Sequence, residues 1–256
     1  RTSYTIHHTP YTIIYEPGLT FSRDKDMSHV AKAVAAAKKA DVILYFCGEE
    51  AILSGEARCR ADLNLPGAQI QMMDALVATG KPVVMVVMAG RPLTIGRQVE
   101  QAAAVLYAFH GGTMAGPGLA NVLTGKAVPS GRLPITFPKM VGQIPLYYNR
   151  HNTGRPSYDP PMLIDSIPIG CPQFSIGQSS YWLETPTEPL FPFGFGLSYT
   201  TFEYGLTRID TLPFREGHGV GYSLSCAITN TGKTDAYEVA QLYTHQKSGY
   251  MVRPLK

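Results

Sequence analysis

The side chains best suited to chemistry are gathered in one polar stretch of the sequence, residues 48–65. This stretch carries six charged side chains: Glu49, Glu50, Glu56, Arg58, Arg60 and Asp62. Carboxylates placed together on one loop suit general acid and base catalysis, in which a carboxyl group gives a proton to a leaving oxygen or takes one from water. Surface loops are also acidic for solubility alone, so spacing by itself does not single out one catalytic glutamate.

Patterns typical of other chemistries are absent or lie in the wrong context. The histidines form no i, i+4 pair of the kind that binds a metal on a helix, and the four cysteines show no C-x-x-C spacing. The sequence has no G-x-S-x-G elbow, and the glycines at 194–196 lack the third glycine of a dinucleotide fingerprint. His110 follows a predicted strand, where a lone histidine is more often structural than catalytic. We therefore expect no metal and no organic cofactor.

Apolar runs alternate with helical segments over the first part of the chain. Continuous apolar runs predict buried strands at 41–47, 82–88, 103–109 and 133–137. Helices, the third of them short, are predicted at 29–40, 66–78, 92–101 and 117–123. Buried strands separated by helices indicate an open parallel sheet that is covered on both faces.

The predicted sheet determines where a site would lie. In open parallel sheets, ligands bind beyond the carboxyl ends of the strands. The loops that leave these ends are at 48–65, 89–92 and 110–118. We therefore expect these three loops to meet at one edge of the sheet and to form the mouth of any site.

The sequence changes character along its length and predicts four segments. These are a lead-in at 1–27, an α/β domain at 28–150, a Pro- and Gly-rich connection at 151–198 and a β-sandwich segment at 199–256. Alternating residues in the last segment predict strands at 202–209, 221–230 and 236–244. A sandwich takes about 100 residues, so we expect this one to be incomplete. The predicted fold class is α/β, an open, mostly parallel sheet sandwiched by helices, followed by a partial all-β sandwich.

The composition excludes several classes of protein. The net charge is only +3, and no stretch concentrates Lys and Arg, so we expect no nucleic acid partner. The apolar runs fall far short of the ~20 residues of a membrane span. A hydrophobic content of 45% suits a buried core and argues against disorder. The chain starts without Met and without a signal-like segment, and we expect it to be part of a longer protein.

A series of motifs in order along the chain resembles glycoside hydrolase family 3. The motifs include VILYFCGE at 42–49, SGEARCRADLNLP at 54–66, PSGRLPITFP at 129–138 and LFPFGFGLSYTTF at 190–202. Further parts of the series lie at 80–93 and 142–156. The likeness covers nearly the whole chain and is greatest to the periplasmic bacterial β-glucosidase subgroup.

The resemblance implies a three-part enzyme. Its parts are an N-terminal (β/α)8 barrel with a nucleophilic aspartate, an α/β sandwich with the acid/base glutamate, and a fibronectin-III-like domain. Residues 28–150 would be the second part and 199–256 a portion of the third, with the barrel outside this chain. The resemblance implies Glu56 as the general acid/base and Glu49 as the runner-up. It implies Arg58 and Arg60 as residues that orient the acid or bind substrate.

The function implied by the resemblance is that of a retaining exo-β-glycosidase, a β-glucosidase that releases terminal β-linked glucose. Its partners would be a β-linked oligosaccharide and the barrel, and its location periplasmic or secreted. We expect the 256-residue chain alone to be inactive, because an acid without a nucleophile cannot form the glycosyl-enzyme intermediate. The alternative hypothesis is a non-catalytic scaffold or carbohydrate-contacting module.

Overall fold

The computed structural model describes residues 4–8, 11–149, 162–175, 182–211 and 221–243. These residues fall into two compact units. The first holds the residues up to Ala115 together with Ile135–Phe193, and the second holds Gly116–Pro134 with Gly194–Tyr243. Parts of the predicted connection, at 151–161 and 176–181, lie outside the described residues. The segment boundaries at residues 27, 150 and 198 stay a prediction.

An N-terminal hairpin begins the first unit. It consists of β1 (Tyr4–His8) and β2 (Tyr11–Tyr15), which pair antiparallel with Tyr4 opposite Tyr15. The predicted lead-in thus contains two strands. The chain turns after β2 at Gly18, whose φ of 65° is a conformation that glycine adopts without steric cost.

A parallel sheet of three strands forms the centre of the first unit. Its strands are β3 (Ile43–Gly48), β4 (Val83–Met88) and β5 (Ala104–Tyr107), with β4 in the middle. Both strand pairs are parallel, and Ile43 lies opposite Val83 in the first of them. The predicted open parallel sheet is confirmed, as are the antiparallel strands after it. The carboxyl ends of the three strands lie at one edge.

Residues 133–137, predicted as a further strand, do not join this sheet. Phe137 instead forms an isolated antiparallel bridge to Phe191, and its N–H donates to the Phe191 carbonyl over 2.8 Å. The prolines at 134 and 138 lack the N–H groups that a ladder requires. The Phe137 ring is fully buried and meets Tyr107 of β5 edge-on, with ring centres 4.7 Å apart.

In the parts of the chain that the structure describes, four α-helices accompany the strands. They are α1 (Val30–Ala37), α2 (Gln69–Val77), α3 (Gly96–Gln101) and α4 (Ala115–Leu123), the last of which lies in the second unit except for its first residue. The alanine-rich sequence of α1 has high helix propensity. Ala33 and Ala37 lie one turn apart on its buried face. Just past the end of α2, Gly80 has a φ of 75°, and its N–H donates to the Val77 carbonyl over 2.9 Å.

The core of the first unit lies between the helices and one face of the sheet. Met73, Met85, Val87, Leu93 and Ile95 have no exposed surface and belong to one cluster with residues of α1 and β3. Burial of apolar surface of this kind is the main favourable contribution to folding. The core therefore fixes the backbone of β4 and of the segment that follows it.

The two faces of β3 differ in exposure. Ile43 and Tyr45 point into the core, whereas the side chains that alternate with them point outwards. Val42, Leu44 and Phe46 keep 49%, 49% and 52% of their surface exposed. The continuous apolar run predicted a strand covered on both faces, and β3 is covered on one face in the described part of the chain.

Gln69, the first residue of α2, ties the helix to the carboxyl end of β3. Its buried side-chain oxygen accepts the Gly48 N–H over 2.7 Å, and its nitrogen donates to the Gly48 carbonyl over 2.8 Å. The same nitrogen reaches the carbonyls of Ser22 at 2.8 Å and Pro66 at 3.0 Å. This amide fixes the point at which the polar stretch 48–65 leaves the sheet.

Among its described residues, the second unit has two antiparallel strand pairs. Strand β6 (Phe202–Tyr204) pairs with β9 (Ile228–Asn230), and β7 (Arg208–Thr211) pairs with β8 (Tyr222–Ser225). The predicted strand 221–230 is thus divided in two, because its halves pair with different partners. At the division, the Ala227 carbonyl accepts the Gly205 N–H over 2.9 Å.

The third predicted strand of this unit, 236–244, is not formed in its described part, 236–243. Its residues are held through side chains instead. Glu238 pairs with Arg132 over 2.7 Å and accepts the Tyr204 hydroxyl over 2.9 Å, while Gln241 donates to the Gly194 carbonyl over 2.9 Å. None of the helices in the described parts of the chain has the length and apolarity needed to cross a membrane.

Candidate functional site

The polar stretch begins where β3 ends, at a position that only glycine can occupy. Gly48 has a φ of 129°, and a Cβ there would collide with the backbone of Met88. A short 3-10 turn, Ala51–Leu53, follows and leads to the tip of the loop. We call residues 51–58 the tip loop.

Glu56 lies at the tip of this loop, between two residues with left-handed backbone. Gly55 has a φ of 129° and Ala57 a φ of 57°. The latter is uncommon for a residue with a side chain, and such strain is concentrated at functional sites. Glu56 is exposed, and toward the residues that the structure describes it makes no hydrogen bond or ion pair. Its carboxyl group is therefore available to another molecule.

Glu49 has the opposite surroundings. Its carboxylate has no exposed surface, and one oxygen accepts from Arg60 while the other accepts from Nε of Arg91 over 3.0 Å. Both arginine side chains are only 17% exposed. A buried carboxylate requires such partners, because an unpaired one is strongly destabilising. Glu49 is thus engaged in structural ion pairs, the role that its place directly after a strand suggests.

Arg91 reaches the tip loop from the segment after β4. Its Nη1 donates to the Arg58 carbonyl over 2.9 Å, and its Nη2 donates to the Leu53 carbonyl. These two carbonyls lie on either side of Glu56. Arg91 lies after the end of β4, in one of the three predicted strand-end loops, but its residue type and spacing did not indicate a role.

The backbone of Arg91 is held in turn from β5. The Tyr107 hydroxyl donates to the Arg91 carbonyl and accepts the Leu93 N–H over 3.3 Å. Burial is the largest influence on Tyr107 and raises the pKa of its hydroxyl, so this group stays protonated and able to donate at neutral pH. The segment that carries Arg91 is therefore fixed to the neighbouring strand.

Arg58 and Arg60 were expected to orient Glu56 or to bind substrate, and the structure places their guanidinium groups away from the Glu56 carboxylate. Arg58 donates to the carbonyls of Ile52 over 3.1 Å and Ala57 over 3.3 Å. Arg60 binds Glu49 and donates to a backbone carbonyl at residue 64 over 3.1 Å. Within the described chain both arginines act on the path of the loop and not on the Glu56 carboxylate.

A second contact joins the tip loop to the end of β5. Ser54 Oγ and His110 Nε2 lie 3.1 Å apart. Gly90 lies against both groups, and a Cβ there would clash with the Ser54 hydroxyl and come within 3.2 Å of the His110 ring. The loops after β3, β4 and β5 therefore meet, as the strand-end rule predicted.

Two other groups near β3 take no part in this arrangement. Hydrogen bonds from Arg23 and then Ser22 hold the pKa of the Glu50 carboxyl below its ordinary value, so Glu50 stays ionised. Burial raises the pKa of the Cys47 thiol to about 12, which leaves it protonated and a poor nucleophile. Among the described residues, no three His, Cys, Asp or Glu side chains come together as metal ligands would.

Comparisons with known proteins show what this chain is similar to. The family model for the glycosyl hydrolase family 3 C-terminal domain matches residues 3–199. The chain is 37% identical over 243 residues to the periplasmic beta-glucosidase of Salmonella typhimurium, and the match covers 95% of this chain and 30% of that protein. It is also 37% identical over 225 residues to a beta-xylosidase of Formosa agariphila, covering 88% of this chain and 28% of that one.

A solved structure has the same fold. The beta-glucosidase from Listeria innocua superposes with a TM-score of 0.76 at 33% identity, and the match covers 92% of this chain and 31% of that one. The chain thus spans less than a third of the length of each of these three relatives.

Proposed function

The chain belongs to glycosyl hydrolase family 3, and from that premise we propose that it supplies the general acid/base, Glu56, of a retaining exo-β-glycosidase. The nucleophilic aspartate would lie in an N-terminal (β/α)8 barrel outside this chain. One observation carries the assignment. Glu56 is exposed at the tip of a loop that Arg91 binds on both sides of it, whereas the Glu49 carboxylate is already paired with two arginines. A carboxyl group that must reach a substrate needs the first arrangement.

The mechanism requires two carboxyl groups about 5–5.5 Å apart across one glycosidic bond. The barrel aspartate bonds to the anomeric carbon as the glycosidic C–O bond breaks, and Glu56 gives its proton to the leaving oxygen. Glu56 is then a carboxylate and takes a proton from water, whose oxygen attacks the anomeric carbon and releases the aspartate. The configuration at the anomeric carbon is retained after these two displacements.

The proposed substrate is a β-linked oligosaccharide that ends in glucose. Two relatives are named as a beta-glucosidase and a beta-xylosidase, and structures of the Listeria enzyme include complexes with laminaribiose and with glucose. These names support glucose or xylose as the terminal sugar. Comparing the rates of hydrolysis of aryl glucosides and aryl xylosides in one assay decides between these two sugars. The name of the Salmonella relative supports a periplasmic or secreted location.

The test is substitution of Glu56 in the enzyme in which the barrel precedes this chain. Glu56→Ala should lower the turnover of oligosaccharides by about 10²–10⁴-fold, the usual contribution of a general acid. Added azide should restore turnover of activated aryl glucosides and give the β-glucosyl azide, since an azide ion needs no base. Glu100→Gln is the control, because Glu100 is an exposed glutamate on α3.

Two results would contradict the assignment. Undiminished hydrolysis of oligosaccharides by Glu56→Ala would remove Glu56 from the reaction and favour the non-catalytic module. Azide rescue of Glu49→Ala, and not of Glu56→Ala, would move the acid/base role to Glu49.

A further inference from the structure

We propose that Arg91 is the positioning residue of the acid/base: its guanidinium group joins the two sides of the tip loop and so holds Glu56 at one distance from the substrate. This inference rests on the proposed function of Glu56. Arg91 itself does not touch Glu56 within the described chain, and it acts through the backbone on either side of that residue.

The geometry supports this role because one planar group satisfies three acceptors. Nε donates to Glu49 over 3.0 Å, Nη1 donates to the Arg58 carbonyl over 2.9 Å, and Nη2 donates to the Leu53 carbonyl. The donors of a guanidinium stand in a fixed fork. Arg91 therefore fixes the separation of residues 53 and 58, and with it the shape of the turn between them.

Arg91 is itself held in place. Its side chain is only 17% exposed, and it shares the buried Glu49 carboxylate with Arg60. Its backbone carbonyl accepts the Tyr107 hydroxyl of β5. The tip loop is thus attached to a residue that the sheet keeps in one position.

The tip loop has few other means of holding its shape. Most of its residues are exposed, including Ile52 at 57%, so little apolar burial orders it. Its backbone hydrogen bonds are local, such as the Ser54 N–H to the Ala51 carbonyl over 3.0 Å. From elsewhere in the described chain, hydrogen bonds reach residues 51–58 from Arg91 and His110. A strained turn with so few contacts depends on each of them.

The first experiment is amide hydrogen exchange of the 256-residue chain, followed by mass spectrometry of peptides that span the tip loop. Arg91→Met should speed exchange at residues 53, 54 and 58 about tenfold or more, while β4 and α2 keep their protection. Arg91→Lys keeps the positive charge beside Glu49 but has no fork, and it should give a smaller increase. Arg97→Met is the control, because Arg97 pairs with Asp74 at the surface, where its side chain is 62% exposed.

Unchanged exchange of the tip loop in a folded Arg91→Met chain would overturn the proposal. Should Arg91→Met fail to fold, the Arg91→Lys chain decides by the same measure, since it retains the ion pair with Glu49. Exchange that rises equally in the tip loop, β4 and α2 would also overturn it, because Arg91 would then stabilise the whole unit.

The second experiment separates positioning from stability in the complete enzyme. A displaced acid matters most for a poor leaving group, so Arg91→Lys should lower kcat/KM, which reports the first displacement, about tenfold or more for an oligosaccharide. For a dinitrophenyl glucoside, whose leaving group needs no protonation, kcat/KM should fall less than threefold. A merely structural role would lower kcat/KM of the two substrates alike, and that result would overturn the inference.

Glu56→Gln in the same assay makes the two proposals distinguishable. If Glu56→Gln shows the leaving-group dependence and Arg91→Lys does not, the role of Glu56 stands and that of Arg91 falls. If Glu56→Gln shows no such dependence, the acid assignment falls, and with it the claim that Arg91 positions the acid.

Discussion

Two adjacent glutamates of this chain have opposite surroundings. Glu49 is fully buried between Arg60 and Arg91, whereas Glu50 meets the exposed Arg23 and is itself partly exposed. A surface ion pair contributes little to stability because water and salt screen it. A buried pair contributes much when one partner is removed, because the other charge is left unpaired in a poorly solvated place.

Glu49→Gln should therefore lower the free energy of unfolding by about 3–5 kcal/mol. The amide cannot neutralise the two guanidinium groups, which remain largely buried. Glu50→Gln is the matched control and should change the stability little. Urea unfolding of the two variants measures the difference, and equal midpoints for the two would show that the Glu49 ion pairs are not a main support of the fold.

At the scale of residues, the sequence predicts the position of the candidate site better than the contacts within it. The strand-end rule was enough to place Glu49 and Glu56 on one loop and to bring His110 near it. It could not show that Arg60 turns to Glu49, because the path of the loop depends on the backbone at Gly55 and Ala57. The role of Arg91 was missed for a related reason, since its partners are distant in sequence and are mostly backbone carbonyls.

At the scale of elements, buried segments were predictable and weakly buried ones were not. Strands β3, β4 and β5 and helices α1 and α2 of the first unit follow apolar runs and alanine-rich stretches whose core contacts match their local preference. The second unit differs because its strands are exposed along most of their length. Strand extent there is set by the pairing partner, which a sequence pattern does not reveal, and β8 and β9 are separate for that reason.

Gln69 shows how one element positions the next. Gln69→Leu should lower the free energy of unfolding by about 2–4 kcal/mol, because it removes the partners of two buried backbone groups at Gly48. Gln71→Leu, at an exposed position of α2, is the control and should have little effect. Thermal unfolding of both variants tests this expectation. A Gln69→Leu chain as stable as the control would mean that water replaces the amide at the end of β3.

At the scale of the whole molecule, the proposed function requires a carboxylate that this chain does not supply. The isolated 256 residues should show no hydrolysis of aryl β-glucosides above the uncatalysed rate, because Glu56 alone cannot form a glycosyl-enzyme intermediate. Release of nitrophenol by the purified chain and by the chain with its barrel measures this. Turnover by the isolated chain at the rate of the complete enzyme would contradict the two-part site.

The second unit is built from two stretches that are separated in sequence, and this limits how segments can be exchanged between homologous proteins. Residues 116–134 fall into the second unit together with Gly194–Tyr243, whereas Ile135–Phe193, between them in sequence, belong to the first. Within the second unit the Tyr199 hydroxyl donates to the Val122 carbonyl over 3.1 Å. The second unit is therefore not a contiguous cassette. Recombination or gene fusion that exchanges only the C-terminal stretch would separate α4 from its packing partners, so exchange between homologues should carry both stretches together.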